Sequence, residues 1–546
     1  MSAAGLDKSW VSVVFTNGRI YLGAPGRFAA ALVAKHGRVV AAGETGAVRR
    51  EHPEARAIDL RGGLMLPGFT DAHVHFLWWA VQQTRIDLAA ERTLEGALAK
   101  IDGHAATLPD EAWVLGGRFD KNLWGRWPTA TELDRVTHGR VAVLRSKDGH
   151  SRWVNTAALR RAGIDRETST PDGGEIDRDT SGTPTGILRE NANRLVDAIL
   201  PLPSDDECLR ALRRGQGEAL RLGLTGIHDL DNPQPPAQRG FDALHRAGEL
   251  ALRVNMGIPH TGLDAALDLG IRTGLGDAWL RFSNLKIFSD GALGSQTAAL
   301  EEPYEGRDDY RGVLTIEPER LAADVRRAAA GGIAVAIHAI GDHAVRVALD
   351  AIEGAREAEA GAPGRRAEGE ATNGLRHRLE HIQLVRAEDV ARFARLGVTA
   401  SMQPIHATSD RDIADRYWGA RCGRAYPWRT FLDAGVTLAF GSDAPVESIA
   451  PLEGIYAAVA RRRREDDTSW YPEQRIGVED AIVAYSSGPA QAISRESELG
   501  TLDPGKWCDA VVLDRDLFGE PPEAILETKV RATITAGEVR YESGLG

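Results

Sequence analysis

Leu66-Pro67-Gly68-Phe69-Thr70-Asp71-Ala72-His73-Val74-His75-Phe76 is the stretch that decides the fold. An apolar-leaning run from Gly63 to Leu66 leads into it, and Pro67-Gly68 punctuates the chain. His73 and His75 then sit two apart. In an extended strand, side chains i and i+2 point to the same face, so the spacing predicts two imidazoles projecting side by side from one strand end. Imidazole is the commonest protein metal ligand and suits zinc and its neighbours. Taken alone, a His-x-His pair reads as readily as a hydrogen-bonded core pair, so the rest of the chain decides.

Downstream, short apolar strands alternate with helical stretches. Candidate strands are Leu224 to Asp229, Arg253 to Gly257, Leu285 to Phe288, Ala334 to His338, Arg378 to Ile382, Thr399 to Met402 and Thr437 to Phe440. With the strand that leads into His73 they make eight. Helical stretches such as Glu207 to Leu222, Pro318 to Ala330 and Arg386 to Leu396 lie between them. Repeated strand–helix units predict a parallel α/β sheet, and eight of them a (β/α)8 TIM barrel; a doubly wound sheet is the structural runner-up.

Both chain ends have a different texture. Val11 to Arg19, Ala30 to Lys35, Arg38 to Ala42 and Arg56 to Leu60 read as short strands near the start. Ala510 to Leu513, Val530 to Ala536 and Glu538 to Tyr541 read the same way near the finish, with Ala536-Gly537 as a hairpin turn. Neither end alone makes a comfortable sheet with a buried face. Residues 1–66 and 499–546 are therefore expected to pair into one small β-sandwich, with the barrel of residues 67–498 between them. After the first barrel strand, about residues 88–204 are too long for one crossover and predict an insertion lobe over one end of the barrel. Gly354 to Gly374, rich in Ala, Gly, Glu and Arg, reads as a mobile surface insertion.

The chain's 546 residues are 43% hydrophobic and 26% charged, enough for a large core. A net charge of -12 argues against nucleic acid or an acidic membrane surface as a partner. Arg461 to Arg464 is followed at once by Glu465-Asp466-Asp467 and reads as a solvated helix end. The three cysteines, Cys208, Cys422 and Cys508, are far apart and odd in number. They predict no disulfide framework and fit a reducing cytoplasm. No signal peptide or membrane span is expected.

In a TIM barrel, function sits where the strands end. The polar residues there are His73 and His75, Lys286, His338, Glu380-His381, and Asp443 after Gly441-Ser442. Each has a bland reading: an edge lysine, a core histidine, an Asp helix cap. Together they would need five separate coincidences at one end of the strands. Among weaker candidates, His150 and Arg152 read equally as substrate contacts or as a salt-bridged turn. Asp290 opens a loop after Lys286 that looks like part of an active site. His343 and His406 are within sequence reach of the pocket, and His228 stays unassigned. Trp78, Trp79, Trp124, Trp127 and Trp153 read as packing first and as a pocket lining second.

With these residues in view, the chain resembles the amidohydrolase superfamily over nearly its whole length. Asp148 to Asn155, Ser289 to Ser295, Ile337 to Asp342 and Gly441 to Val446 are similar to its branch that includes N-substituted formamide deformylases and exoenzyme-regulatory-like hydrolases. The resemblance implies that His73, His75 and Asp443 hold one divalent metal, zinc foremost, and that His338 and His381 hold a second. Lys286 would bridge the two as a carbamate. Some superfamily members use one metal, held by the strand-one pair, the strand-five His and the strand-eight Asp; Lys286 would then be a plain lysine, salt-bridged to Asp290 or holding substrate. It further implies hydrolysis of a C–N amide-type bond in a small molecule, with Asp443 as proton shuttle and His381 or the metal stabilising the oxyanion. Deamination or ester hydrolysis at the same site is the alternative, as is an inactive binding protein on the same fold; homo-oligomerisation is open.

Overall fold

The computed structural model describes residues 12–146, 151–171, 174–230, 236–294, 296–361 and 374–545. They fall into two compact units, Met1–Leu77 with Leu212–Gly546, and Trp78–Ala211.

The first unit contains an eight-stranded barrel. Its strands are β1 (Phe69–Val74), β2 (Leu224–Asp229), β3 (Arg253–Pro259), β4 (Leu280–Phe288), β5 (Ala334–Ala339), β6 (Arg378–His381), β7 (Thr399–Met402) and β8 (Leu438–Phe440). Each pairs in parallel with the next, in sequence order. That unbroken order rules out the doubly wound alternative, whose strand order reverses. Strands such as Leu224–Asp229 and Thr399–Met402 are buried along their whole length, as a parallel sheet covered on both faces requires. The helices predicted between them form as Asp205–Arg221, Pro318–Ala330 and Ala387–Leu396; Pro318 starts its helix, where a missing N–H costs nothing.

The last strand meets the first through the residues just beyond it. The Asp443 N–H donates to His73 O at 2.7 Å, and the His75 N–H donates to Ala444 O at 2.9 Å. The Ser442 N–H and Oγ both donate to the Asp71 carboxylate, at 3.0 and 2.5 Å. Gly441 permits this approach, because a Cβ there would lie 2.4 Å from the His73 nitrogen. The barrel therefore closes at the residues expected to bind metal.

The same unit holds the sandwich. One sheet runs Arg38–Gly43, Ala31–Lys35, Val13–Thr16, Arg56–Asp59; the other runs Glu538–Glu542, Val530–Thr535, Ala510–Leu513, Leu64–Pro67, Arg19–Tyr21, Phe28–Ala29. Both chain ends meet in the second sheet, where Val512 pairs antiparallel with Met65. Val13, Phe15, Leu32, Met65, Val512 and Ile534 share its core. Ala536 and Gly537 both have positive φ, 52° and 73°, as a two-residue hairpin of the favoured hand demands.

The second unit, inserted in the chain between β1 and β2, is built on a six-stranded sheet with the order Gly174–Arg178, Pro184–Glu190, Ser151–Val154, Ala142–Ser146, Val114–Phe119, Ile86–Asp87. Trp153 is wholly buried in one of its cores. Its ring lies edge-on to Trp124 and Phe119 at 5.9 Å from each, and its Nε1–H donates to Thr129 O. These tryptophans pack this unit.

Two expectations are corrected. The helix Asp342–Gly361 runs well into the stretch read as a mobile insertion. Ala, Glu and Arg are strong helix formers even without large apolar partners; residues 362–373 lie outside the described residues. Arg461 is not solvated: it is fully buried and donates to the carbonyls of Trp470, Tyr426 and Ala425 at 2.7–2.9 Å. Its guanidinium stacks over Trp428 and Trp470. Among the described residues, no helix is long and apolar enough to cross a membrane.

Candidate metal centre

The strand ends bring the predicted residues together. His73 is wholly buried, with ring centroids 5.6 Å from His75 and 4.8 Å from His381; His381 in turn lies 4.5 Å from His338. Asp443 Oδ1 sits 3.4 Å from His73 Nε2 and 3.3 Å from His75 Nε2. Lys286 is 1% exposed, its Nζ 4.8 Å from the Phe288 ring centroid, and that ring lies 5.1 Å from His338.

Orientation comes from groups behind the candidate ligands. His73 Nδ1 lies 2.7 Å from Glu380 Oε2. Burial would raise the Glu380 carboxyl, yet Arg378 and His73 hold it well below the usual range. An ionised carboxylate can only accept, so His73 Nδ1 carries the proton and Nε2 presents its lone pair. That Nε2 is buried with no hydrogen-bond partner. Likewise His381 Nδ1 donates to Gln403 Oε1 at 2.8 Å, which leaves Nε2 as the electron-pair donor. Carboxylate or carbonyl partners behind metal-binding imidazoles are the usual way the tautomer is fixed.

Electrostatics agrees for three of the four histidines; on His75 burial acts downward, but the hydrogen bond and charge of Asp443 raise it above its ordinary value. Burial is the largest cause that brings His73 down to about 4 and His338 to about 3, and the ammonium of an unmodified Lys286 adds to it. Burial and the neighbouring His338 hold His381 well below its ordinary value. Neutral imidazoles are the form that binds metal. Burial acts upward on Asp443, but the hydrogen bond from His406 keeps it well below the carboxylate range. The ligand atoms of His73, His75 and Asp443 all lie within 4.8 Å of one another, as do those of His381, His406 and Asp443. An orphaned imidazole nitrogen facing a carboxylate and a second imidazole fits a divalent ion.

Backbone strain marks the same place. His381 has φ 72° and Asp443 φ 59°. Non-glycine residues in this region cluster at functional sites.

Other expected residues stand differently. Asp290 accepts from the backbone N–H groups of Ile340, Gly341 and Ala299 at 2.9–3.0 Å and lies 3.6 Å from His338 Nε2. Burial pushes it up to about 7. It ties the loop after β4 to the end of β5. Arg152, in the second unit, forms a two-pronged pair with Asp197 at 2.9 and 2.8 Å. His150 lies outside the described residues. His343 pairs with Glu301 and is half-exposed. His228 is buried and lies 2.9 Å from Arg378 Nη1.

The sequence reading missed Arg378 and Gln403, placed Glu380 at its strand end without giving it a role, and underweighted His406. Arg378 donates to Glu380, Ser401 Oγ and Ala72 O inside the barrel. A signal was available: in Arg378-Leu379-Glu380-His381 the two charges lie at i and i+2 of a strand buried on every residue. Charges on one face of a buried strand must pair with each other.

Comparison with known proteins gives the family. The family model described as "Amidohydrolase family" matches residues 56–541, and the chain belongs to that family. It is a metal-dependent hydrolase by class. It is 30% identical over 534 residues to the N-substituted formamide deformylase of Arthrobacter pascens, covering 94% of this chain and 95% of that protein. Structures of uncharacterized metal-dependent hydrolases from Pyrococcus horikoshii OT3 and Pyrococcus furiosus superpose with TM-scores of 0.77 and 0.76 at 26% and 28% identity. These matches cover 94% and 92% of this chain and 99% of each of those chains.

Proposed function

We propose that the protein hydrolyses a C–N amide-type bond of a small molecule, in the manner of an N-acyl or N-formyl amine hydrolase. The observation that carries this is the oriented His73 Nε2, facing His75 and Asp443 at the mouth where the barrel closes. The relative named as a formamide deformylase, aligned over nearly the full chain, supports the bond type.

In this reading His73, His75 and Asp443 would hold one zinc or similar ion, and His338 and His381 would hold a second. Lys286 would serve both as a carbamate formed with carbon dioxide, since its ammonium has no lone pair to give. Such an ion, when bound, brings the pKa of water down to roughly 7 and polarises a carbonyl oxygen. Asp443, held ionised, takes the proton of the attacking water and returns it to the leaving amine. His381, with Nε2 as electron-pair donor, acts as a ligand and not as the oxyanion donor. Phe288, 40% exposed beside Lys286 and His338, offers an apolar wall to the substrate. The three cysteines are buried and free, which supports a reducing cytoplasmic setting.

The test is elemental analysis combined with a turnover screen of N-formyl amines, N-acyl amines, esters and amino-heterocycles. Stoichiometric transition metal with turnover of formyl or acyl amines is the expected result. Turnover confined to esters or amino-heterocycles would move the reading to an esterase or deaminase.

A further inference from the structure

We propose that His406 is a positioning residue of the metal centre, holding the outer oxygen of Asp443 so that the inner oxygen stays turned towards His73 and His75. The proposal rests on Asp443 being a ligand, as in the reading above.

The geometry divides one carboxylate between two sides. Oδ1 lies 3.3–3.4 Å from the two strand-one imidazoles. Oδ2 lies 3.3 Å from His406 Nε2. The Asp443 backbone, at φ 59°, comes off the end of β8 in a sparsely populated region, so a hold on the side chain from outside has a use. His406 can supply it because it is itself fixed. It sits in the short helix Pro404–Ser409 directly after β7, 6% exposed, with its main-chain oxygen accepting from the Asp410 N–H at 2.8 Å. Its Nδ1 side faces Glu447 at 3.8 Å. The Asp410 carboxylate bears on it electrostatically and is held in turn by the Tyr426 hydroxyl at 3.0 Å.

The same turn carries Gln403, which holds His381. Gln403-Pro404-Ile405-His406 therefore braces two candidate ligands from one loop, although neither Gln403 nor His406 belongs to the ligand set implied by sequence. The competing arrangement makes His406 a direct ligand, because its ring also lies within 4.8 Å of the donor atoms of His381 and Asp443. Ligand and brace differ in what their removal does: losing a ligand empties a coordination position, whereas losing a brace leaves the ligand set complete but looser.

Cobalt(II) titration of metal-stripped protein separates them without any substrate, reading stoichiometry, affinity by chelator competition, and the visible d–d spectrum. His406→Ala is expected to keep the wild-type stoichiometry and spectral shape while binding roughly 10–100-fold more weakly, the usual effect of removing a group behind a ligand. His406→Gln, which can still donate an N–H, should recover most of that affinity. With Asp443→Ala already in place, His406→Ala should cost nothing further, because the cycle isolates their shared term. Should His406→Ala not fold, His406→Asn, too short to reach Oδ2, takes its place against His406→Gln. Loss of a whole equivalent of cobalt with a changed spectrum would make His406 a ligand and overturn the proposal. Unchanged affinity in His406→Ala would overturn it too, while leaving the metal reading intact. Failure of the wild-type protein to bind cobalt would overturn both.

Discussion

His73 Nδ1 lies 2.7 Å from Glu380 Oε2, and both side chains are wholly buried. On its other side the Glu380 carboxylate receives Arg378 at 2.5 and 3.0 Å, and Arg378 reaches His228. A hydrogen-bonded chain thus runs through the barrel interior from β2 through β6 to the His73 imidazole of β1. It puts a full negative charge behind a neutral imidazole, which raises the basicity of its other nitrogen, Nε2.

Glu380→Gln tests this chain in two ways. It leaves the buried Arg378 without its counter-charge, which costs on the order of 3–5 kcal/mol. It also weakens the hold on the His73 tautomer, so metal affinity should fall roughly 10–100-fold. Thermal melts and chelator competition read the two effects. Wild-type melting together with wild-type metal affinity would show that the network does not orient His73.

Chelation of the purified protein should abolish turnover and lower the melting temperature, and zinc should restore both. A ligand that binds only the folded state stabilises it by about 4 kcal/mol at a thousand times its dissociation constant. Activity and melting that ignore a strong chelator would remove metal from the site.

Lys286→Ala should lose turnover and the second equivalent of metal. Excess acetate or propionate should return part of both, by standing in for the carbamate. Wild-type stoichiometry in this variant would show that the metal is held without Lys286.

The barrel was legible because its strands are short apolar runs ended by polar residues, and strand ends are where polar groups escape the core. Leu224–Asp229 and Thr399–Met402 lie where the pattern put them. Two things hid from that pattern. Arg378 and Glu380 are charged yet inward-facing, and their pairing with each other, His73 and His228 joins residues up to 307 positions apart. The six-stranded sheet of the second unit hid for another reason. Its strands are interrupted by glycines such as Gly116 and Gly117, with φ of 139° and 130°, which break the alternation a strand otherwise shows.

Within that second unit, Glu132 gives a prediction of pH dependence. The Arg126 hydrogen bond is the main cause that brings its carboxyl down to about 2, and Thr129 adds a capping box. A depressed carboxyl contributes stability above its unfolded value, near 4.5, and loses it as pH falls towards 2. Arg126 is half-exposed, so solvent screening keeps the contribution to about 1 kcal/mol. Glu132→Gln should therefore be less stable than wild type at pH 7, with the gap closing as pH falls from 4.5 to 2. Denaturant melts at several pH values read it; a gap that widens in acid would contradict the assignment.

Asp443→Asn is the most discriminating substitution. It keeps the size and one oxygen but loses the negative charge and the base. The backbone bond from Asp443 N–H to His73 O does not involve the side chain, so the barrel should still close and the protein should fold. His73 and His75 remain in place, so some metal should stay bound. Turnover should fall by roughly 10²–10⁴, the range expected when a general acid–base is removed. In the wild type, the acid limb of the rate profile should report Asp443 and the water it deprotonates as one coupled titration. Were Asp443 only a structural residue at the end of β8, Asn would serve nearly as well, since it tolerates the same left-handed backbone. Metal content, melting temperature and turnover measured on this one variant decide between the two: an Asp443→Asn protein that folds, holds metal and turns over at the wild-type rate would take the proton shuttle away from this residue.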